Sequence, residues 1–368
     1  MRTETKVTEV GAATESAASL AHSAALAAFR PDRYGFRPDH GGWRKDVDGL
    51  GPVAMVGLGW QHALAASEDR AGDCRQPLNA LDFVVELQRR TWGMPPEDLV
   101  PANILAILAD TGGSMLVAYD PRVGFTDDGW LGFVFGAGAR SGVLVSHMLG
   151  VREGVRGSSD LGWHLKLIQG YEALKSGHTA AAWTFDPLRG ANARLNIEKL
   201  GANVEELTID KYGPLRSALY GENVPSDRLT ARWDLTAPKT ADRLAGIYDG
   251  RYRGLTLDEV ADIPEATTRT VEELHVARPE RLRYLIPGDI DRLMHDDPGD
   301  AIRWRREMRQ VLSALLTTKT ARIDGTATDP AAVGVRERSG DYAITGFATG
   351  TDAAGQRLSS YVLTRKPG

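Results

Sequence analysis

The chain has 368 residues, 42% hydrophobic and 25% charged, with a formal net charge of −5 and a pI near 6.0. That balance can bury a sizeable core and predicts a globular protein of two or three domains. It argues against an extended nucleic-acid surface, which needs clustered Lys and Arg, so no nucleic-acid partner is expected.

One cysteine, Cys74, excludes an internal disulfide framework and a Cys-rich metal site, and fits a reducing cytoplasm. No metal is expected, and Cys74 reads as structural. No run of about 18 apolar residues exists, so no membrane partner is expected either. The N-terminal "MRTETKVTEVGAATESAASLAHSAALAAF" is a poor signal peptide, acidic and without a compact apolar core, which makes the cytoplasm the default location.

In chain order, residues 1–30 are rich in Ala, Ser and Thr and predict partial helical order. Residues 30–51 are loaded with Gly, Pro and Asp and read as loop; "SEDRAGDCRQP" reads as linker. From Leu78, "LNALDFVVELQRRTW" and "PANILAILADTGG" predict two helices, the second stopped by Gly112 and Gly113. Three strands follow, "SMLVAYD", "GWLGFVFGAG" and "GVLVSHMLGV", joined by Gly- and Asp-rich turns as antiparallel hairpins require. A helix then carries an apolar stripe at Leu161, Leu165, Ile168, Tyr171 and Leu174, ending at Gly177. "TAAAWTFD" is a strand, "DPLRGANARLNIEKLG" a helix capped by Asp186 with Pro187 in its first turn, and "NVEELTID" and "DRLTARWDL" are strands. After about Thr236 periodicity weakens. It resumes in the strand "RLRYLIP", a helix opened by Asp297-Pro298 whose buried face is Ala301, Trp304, Met308, Val311 and Leu315, a loop over 322–340, and the strands "DYAITGFAT" and "SSYVLTRK".

The chemistry concentrates in "LGVREGVRGSSDLGWHLKLIQGYEALKSG", residues 149–177. Amides at a helix start have no partner inside the helix, and with the helix dipole they suit an anion. Small residues ahead of that start admit a phosphate to the backbone, and Arg156 adds a forked cation. One reading is therefore a pyrophosphate resting on residues 156–163; the other is an ordinary strand–helix turn. A Rossmann fingerprint needs alternating βαβ units, but three antiparallel strands come first. A Walker loop needs Gly-Lys-Ser/Thr, which this stretch lacks.

Residues 78–235 resemble the GNAT acyltransferase superfamily, and within it a branch of large GNAT-like bacterial proteins. The resemblance is carried by "VVELQRRTWG", "DLVPANIL", "VSHMLGV", "LGWHLKL", "WTFDPLRGANARLN", "LGA" and "PSDRL", and by a tail like "IPGDIDRL…DDPGDAIRWRREMR" at 286–309. It implies an α/β fold with a mixed, mostly antiparallel sheet flanked by helices. An N-terminal extension (1–77), a GNAT-like acyl-CoA-binding domain (78–235) and a smaller C-terminal α/β extension (236–368) follow from it. It further implies acetyl-CoA or another acyl-CoA as cosubstrate and direct transfer to a small-molecule amine acceptor, and leaves room for a homodimer.

The cofactor-binding residues implied are Leu149, Gly150 and Val151 on the third strand, Arg156, Gly157, Ser158, Ser159, Leu161, Gly162 and Trp163 around the helix start, and Asn192 and Asn196, four apart on one helix face. One departure stands out: the loop is one residue longer than the superfamily's, and Asp160 brings a carboxylate towards the expected anion unless it caps the helix.

Three residues are candidates for catalysis. Asp186 could bind or deprotonate an amine, or simply cap its helix. His147 has the residue type suited to base chemistry, or is a core histidine. Tyr212, in "DKYG", resembles the family's thiolate-protonating tyrosine. Trp163 and Trp183 are expected to pack, Asp227 and Arg228 to form an ion pair, His164 to be exposed, and Arg305 and Arg309 to lie on a solvated helix face. Two alternatives remain: a non-catalytic binding or regulatory module, and a GNAT scaffold that decarboxylates an acyl-CoA.

Overall fold

A computed structural model describes residues 4–63, 79–139, 141–157, 159–213, 215–217, 221–323, 330, 333–352 and 355–367. Cys74 and Ser158 lie outside them. The chain opens with α1 (Glu4–Phe29), a continuous helix where partial order was expected; Ala25 and Phe29 are buried near its end. Residues 30–51, read as loop, contain β1 (Arg37–Asp39) and β2 (Gly42–Val47) and reach β3 (Gly51–Gly57). The glycines responsible for the loop reading sit in the turns: Gly41 and Gly49 adopt positive φ between short strands.

Next come α2 (Ala80–Trp92), α3 (Ala102–Asp110), β4 (Ser114–Tyr119), β5 (Trp130–Gly138), β6 (Val143–Val151), α4 (Leu161–Lys175), β7 (Ala180–Phe185) and α5 (Gly190–Ala193), which runs on as a π-helical turn over Arg194–Lys199. Then follow β8 (Asn203–Thr208), β9 (Leu215–Ser217), β10 (Gly221–Val224), β11 (Arg228–Asp234), α6 (Pro238–Tyr248), β12 (Leu255–Thr256) and α7 (Val271–Ala277). The chain finishes with β13 (Arg281–Pro287), α8 (Ile290–Asp296), α9 (Pro298–Leu315), β14 (Thr317–Ile323), β15 (Val333–Arg338), β16 (Tyr342–Thr351) and β17 (Arg357–Arg365). The loop expected over 322–340 thus holds the end of β14 and all of β15, which pair antiparallel from Thr318↔Arg338 to Ile323↔Val333. β15 is mostly exposed and charged, so no alternating apolar pattern marks it.

Two compact units interleave along the chain. Unit one is Met1–Thr91, Asp98–Ala182 and Asp234–Tyr248; unit two is Trp92–Glu97, Trp183–Trp233 and Asp249–Gly368. The segments expected from sequence, by contrast, are consecutive. β3 joins β4 through the pairs Ala54↔Tyr119 to Gly57↔Leu116, which builds β1, β2 and β3 into the same sheet as the strands after Leu78.

Unit one has the strand order β1-β2-β3-β4-β5-β6-β7, antiparallel up to β6 and parallel between β6 and β7. Its centre is apolar on both faces: Met115–Ala118 of β4 and Phe133–Phe135 of β5 are all buried, the pattern of strands covered on both sides. Both α3 and α4 pack on β4 and β5. Unit two has the order β11-β8-β16-β17-β13, with β14 parallel to β8 and β12 parallel to β16. Its core contains Trp233, Tyr342, Phe347 and Tyr361. The whole is a mixed α/β protein with mostly antiparallel strand pairing and flanking helices, as expected from sequence.

Candidate functional site

The site in unit one begins with a bulge. Along β5 and β6, Gly136 pairs with Ser146 but Phe135 pairs with Met148, so His147 is an extra residue. Hydrogen bonds fixed at the two ends show its consequence. The Ala139 amide donates to the Val143 carbonyl, and the Arg152 amide donates to the Leu131 carbonyl. In an antiparallel ladder, backbone groups alternate between facing the partner and facing away. Counting by twos from Val143 turns Leu144 and Ser146 away from β5; counting back from Arg152 turns Val151 and Leu149 away. The bulge switches that parity, as one inserted residue must.

What faces the turned-out amides is an edge. Parallel pairing between β6 and β7 covers Val143↔Ala180, Leu144↔Ala181 and Val145↔Ala182, and stops there. Gly136 sits where the bulge crosses β5, and a Cβ there would lie 2.6 Å from the Val145 carbonyl oxygen. Gly150 is equally hemmed in, with a Cβ meeting the Phe133 ring at 2.7 Å.

Beyond β6 the chain tightens into a short 3-10 turn over Glu153–Val155. Arg156 folds back, its Nε donating to the outward carbonyl of Val151 at 2.8 Å. Gly157 takes φ +81. Ser159 Oγ lies 3.3 Å from the Val155 carbonyl. Asp160 corrects the sequence reading in part. Its carbonyl accepts the His164 amide, as an N-cap carbonyl does, but its backbone is left-handed at φ 50 and its side chain makes no cap hydrogen bond. Leu161, Gly162 and Trp163 form the first turn of α4, whose amides no helix carbonyl precedes.

The helix itself is buried nearly all round rather than along one stripe. Trp163 packs, as expected, edge-on against Tyr34 at 5.7 Å and His164 at 5.2 Å. His164, expected to be exposed, is 5% exposed, because β2 covers it: Lys45 Nζ lies 3.1 Å from its Nε2. The same ammonium sits over the Phe36 and Tyr248 rings at 5.3 and 5.1 Å. Burial lowers the Lys45 value, partly offset by Asp48 and Asp160.

His147 projects from the bulge with its side chain exposed. Its ring contacts Phe135 edge-on at 5.8 Å. Partial loss of hydration against its neighbours holds the imidazole below the ordinary histidine value, which favours the neutral, proton-accepting form at physiological pH. Beneath the bulge lies a lysine that sequence reasoning missed: Lys166, 3% exposed, donates to Ser146 Oγ at 2.7 Å. An aliphatic-flanked lysine within "WHLKLIQ" gives no signal of burial.

In unit two, Asp186 is 2% exposed. Arg305 grips it with both Nη atoms, at 3.2 and 3.0 Å, and the Leu188 amide donates to Oδ1 at 3.0 Å. Burial would raise its pKa, but Arg305, Arg228 and that amide outweigh burial and leave it lowered. Two expectations are thereby corrected. Asp186 caps a turn, since the helix starts later, at Gly190 with Arg189 before it. As a proton acceptor it is poorly suited, because both carboxylate oxygens are engaged and the charge is locked in. Arg305, expected on a solvated face, is 4% exposed.

The carboxylate of Asp227, expected to pair with Arg228, meets a guanidinium from α9. Arg309 holds Asp227 at 2.8 and 2.6 Å and reaches Asp210 at 2.7 Å, while Arg228 donates to the Asp227 carbonyl. The two asparagines do not share a face. The π-helical turn over Arg194–Lys199 changes the angular step between residues four apart, leaving Asn192 exposed and Asn196 buried. Asn196 accepts from Trp183 Nε1 at 3.1 Å. Tyr212 is 50% exposed, with its hydroxyl 3.0 Å from Thr184 Oγ1. Trp304 is only partly buried in α9.

The structure thus groups His147, Leu149, Gly150, Val151, Arg156, Gly157, Ser159, Leu161, Gly162 and Trp163 within unit one, and Asp186, Asn192, Asn196 and Tyr212 within unit two. Among the described residues no group of three or more metal-ligating side chains occurs, and no helix is long and apolar enough to cross a membrane.

No protein-family model matches the chain, and no curated protein matches it. Among solved structures it is similar to an N-acetyltransferase from Staphylococcus aureus Mu50, at 12% identity over 50% of this chain and 98% of that one, with a TM-score of 0.34. It is similar to a GNAT family acetyltransferase from Elizabethkingia anophelis with acetyl-CoA bound, at 9% identity over 50% and 97%, TM-score 0.32. A third is an acetyltransferase from Bacillus subtilis in complex with CoA, at 14% identity over 36% and 82%, TM-score 0.28. At these values each is a distant likeness.

Proposed function

We propose that the chain is an acyl-CoA-dependent N-acyltransferase that acts by direct transfer on a small amine-bearing molecule. One observation carries the reading: the bulge at His147 turns the Leu149 and Val151 amides to the edge of β6, beyond the point where β7 stops pairing. An extended pantetheine arm would pair along that edge. Its diphosphate would rest at the start of α4, on the amides of Leu161, Gly162 and Trp163 after the turn at Gly157 and Ser159, with Arg156 alongside. Amides aimed at a thioester carbonyl stabilise the oxyanion formed on attack.

The amine nitrogen attacks the thioester carbon, the tetrahedral oxyanion collapses, and the carbon–sulfur bond breaks. The amine's proton passes to a base and the thiolate takes one from an acid. His147, exposed and biased towards its neutral form, serves as the base, and water is the acid that protonates the thiolate. A group of this kind contributes roughly 10²–10⁴-fold, so His147→Gln should cost about 10²-fold or more in rate while leaving acyl-CoA affinity within about threefold.

Calorimetry with acetyl-CoA and longer acyl-CoAs tests the first half of the reading, and absence of binding to all of them would sink it. Mass spectrometry of mixtures containing an amine panel tests the second. Transfer adds the acyl mass to an acceptor; loss of carbon dioxide without a modified acceptor would mark a decarboxylase; binding without turnover would mark a non-catalytic module.

A further inference from the structure

Four buried polar side chains meet beneath β6, and the reaction just described uses none of them. Lys166 Nζ on α4 donates to Ser146 Oγ at 2.7 Å and to Gln169 Oε1 at 3.1 Å. Ser146 Oγ on β6 donates to Gln169 Oε1 at 2.9 Å. Gln169 Nε2 donates to Ser114 Oγ on β4 at 3.0 Å. Ser114, Ser146, Lys166 and Gln169 are 7%, 3%, 3% and 1% exposed, so the network ties two strands to one helix out of reach of solvent. The sequences of β4, β5 and β6 contain no Asp or Glu; their titratable side chains are Tyr119 and His147.

The position of Ser146 gives this network a consequence. It is the last regularly paired residue before the bulge. Register in a strand is set by what its buried side chains meet, and a slip of one residue exchanges every backbone group between the two edges. Were the bulge lost, or displaced beyond Val151, Met148 and Gly150 would face the open edge in place of Leu149 and Val151. Gly136 lets β6 approach closely but cannot hold it. The Ser146 hydroxyl, gripped from below, can. Burying an ammonium among neutral oxygens is costly, and buried polar groups of this kind are best attested as devices that fix register.

We propose that Lys166 is a positioning residue: through Ser146 it holds the β6 bulge in place and so keeps the Leu149 and Val151 amides turned towards the thioester of a bound acyl-CoA. This inference rests on the acyl-CoA reading above.

The test compares wild type with Lys166→Met and Ser146→Ala at pH 8 by three measurements. Thermal unfolding reports the fold, and calorimetry reports acetyl-CoA affinity. The infrared carbonyl band of bound acetyl-CoA labelled with carbon-13 at the thioester reports polarisation, which mere packing would not alter. In wild type the band should move to lower wavenumber on binding. In both variants that shift should be lost and acyl transfer should fall about 10²-fold, the scale of one oxyanion donor, while melting temperature is maintained and affinity stays within about threefold. A full shift retained in Lys166→Met would overturn the proposal, as would variants that lose fold and affinity together.

Amide hydrogen exchange across Ser146–Val151 in the ligand-free protein separates the two layers of the claim. An exchange pattern altered in Lys166→Met supports the tether; an unaltered one overturns it. A wild type that binds no acyl-CoA would overturn the functional reading and the thioester role with it.

Discussion

Unit one and unit two bury charge in opposite ways. In unit two Asp186 meets Arg305 through paired hydrogen bonds and Asp227 meets Arg309 in the same fashion. In unit one Lys166 donates to the Ser146 hydroxyl and to the Gln169 amide oxygen. A carboxylate matched by a guanidinium stays ionised and serves as a fixed strut. An ammonium matched by neutral oxygens is destabilised by burial, and Lys166 is lowered from 10.5 to about 7. Its charge then depends on pH where that of Asp186 does not.

The largest effect should come from breaking a strut. Arg305→Met leaves the Asp186 carboxylate buried without its guanidinium, which costs about 3–5 kcal/mol in denaturant titrations at pH 7. Adding Asp186→Asn should recover most of it. A loss under about 1 kcal/mol would erase the contrast between the units.

Removing the ammonium should do the reverse. Between about 7 and 10.5 the unfolded chain holds a proton on Lys166 that the folded chain has released, so folding stability rises with pH across that window and the full cost applies below it. Wild type should therefore gain up to a few kcal/mol, on the order of 1.4 per pKa unit, as pH rises from 6.5 to 9. Lys166→Met should lack that gain and be the more stable of the two near pH 6. Parallel profiles for the two proteins would show that Lys166 is not where the proton resides.

Smaller effects sharpen the account of the bulge and the loop. Gly136→Ala forces a methyl against the Val145 carbonyl and should cost about 1–3 kcal/mol, with hydrogen exchange rising at Ser146–Met148. Asp160→Asn keeps a residue type that tolerates the left-handed backbone and removes one charge beside α4. Stability should move by less than about 1 kcal/mol, and acetyl-CoA should bind about two- to fivefold more tightly, the scale of one screened charge pair. Unchanged affinity would mean that the carboxylate points away from the anion.

The order of elements from α2 to β8 was legible in the residues because it is written locally: apolar runs for β4, β5 and β6, glycine stops after α3 and α4, a small-residue turn before α4. The strands β1, β2 and β15 were not, since each is short or solvent-facing and its pairing partner supplies the hydrogen bonds that define it. The parity of β6 was invisible as well. Nothing in "VLVSHMLGV" announces an extra residue; it becomes one only when β5 is laid beside it with Gly136 at the crossing.

Side-chain roles divided along the same line. The turn at Gly157 and the start of α4 at Leu161 depend on local geometry, and they fall where the sequence predicted a small-residue turn and a helix. Partners for charged groups do not follow from neighbours in sequence: Asp186 and Arg305 are 119 positions apart, and Asp227 is held by Arg309, 82 positions on. The amino-acid order by itself determined which segments become strand or helix and where small residues admit a close approach, because those properties are decided within a few residues. Which carboxylate is locked, which lysine is buried and which amides face the open edge were decided only by the tertiary structure, because each depends on what the fold brings alongside.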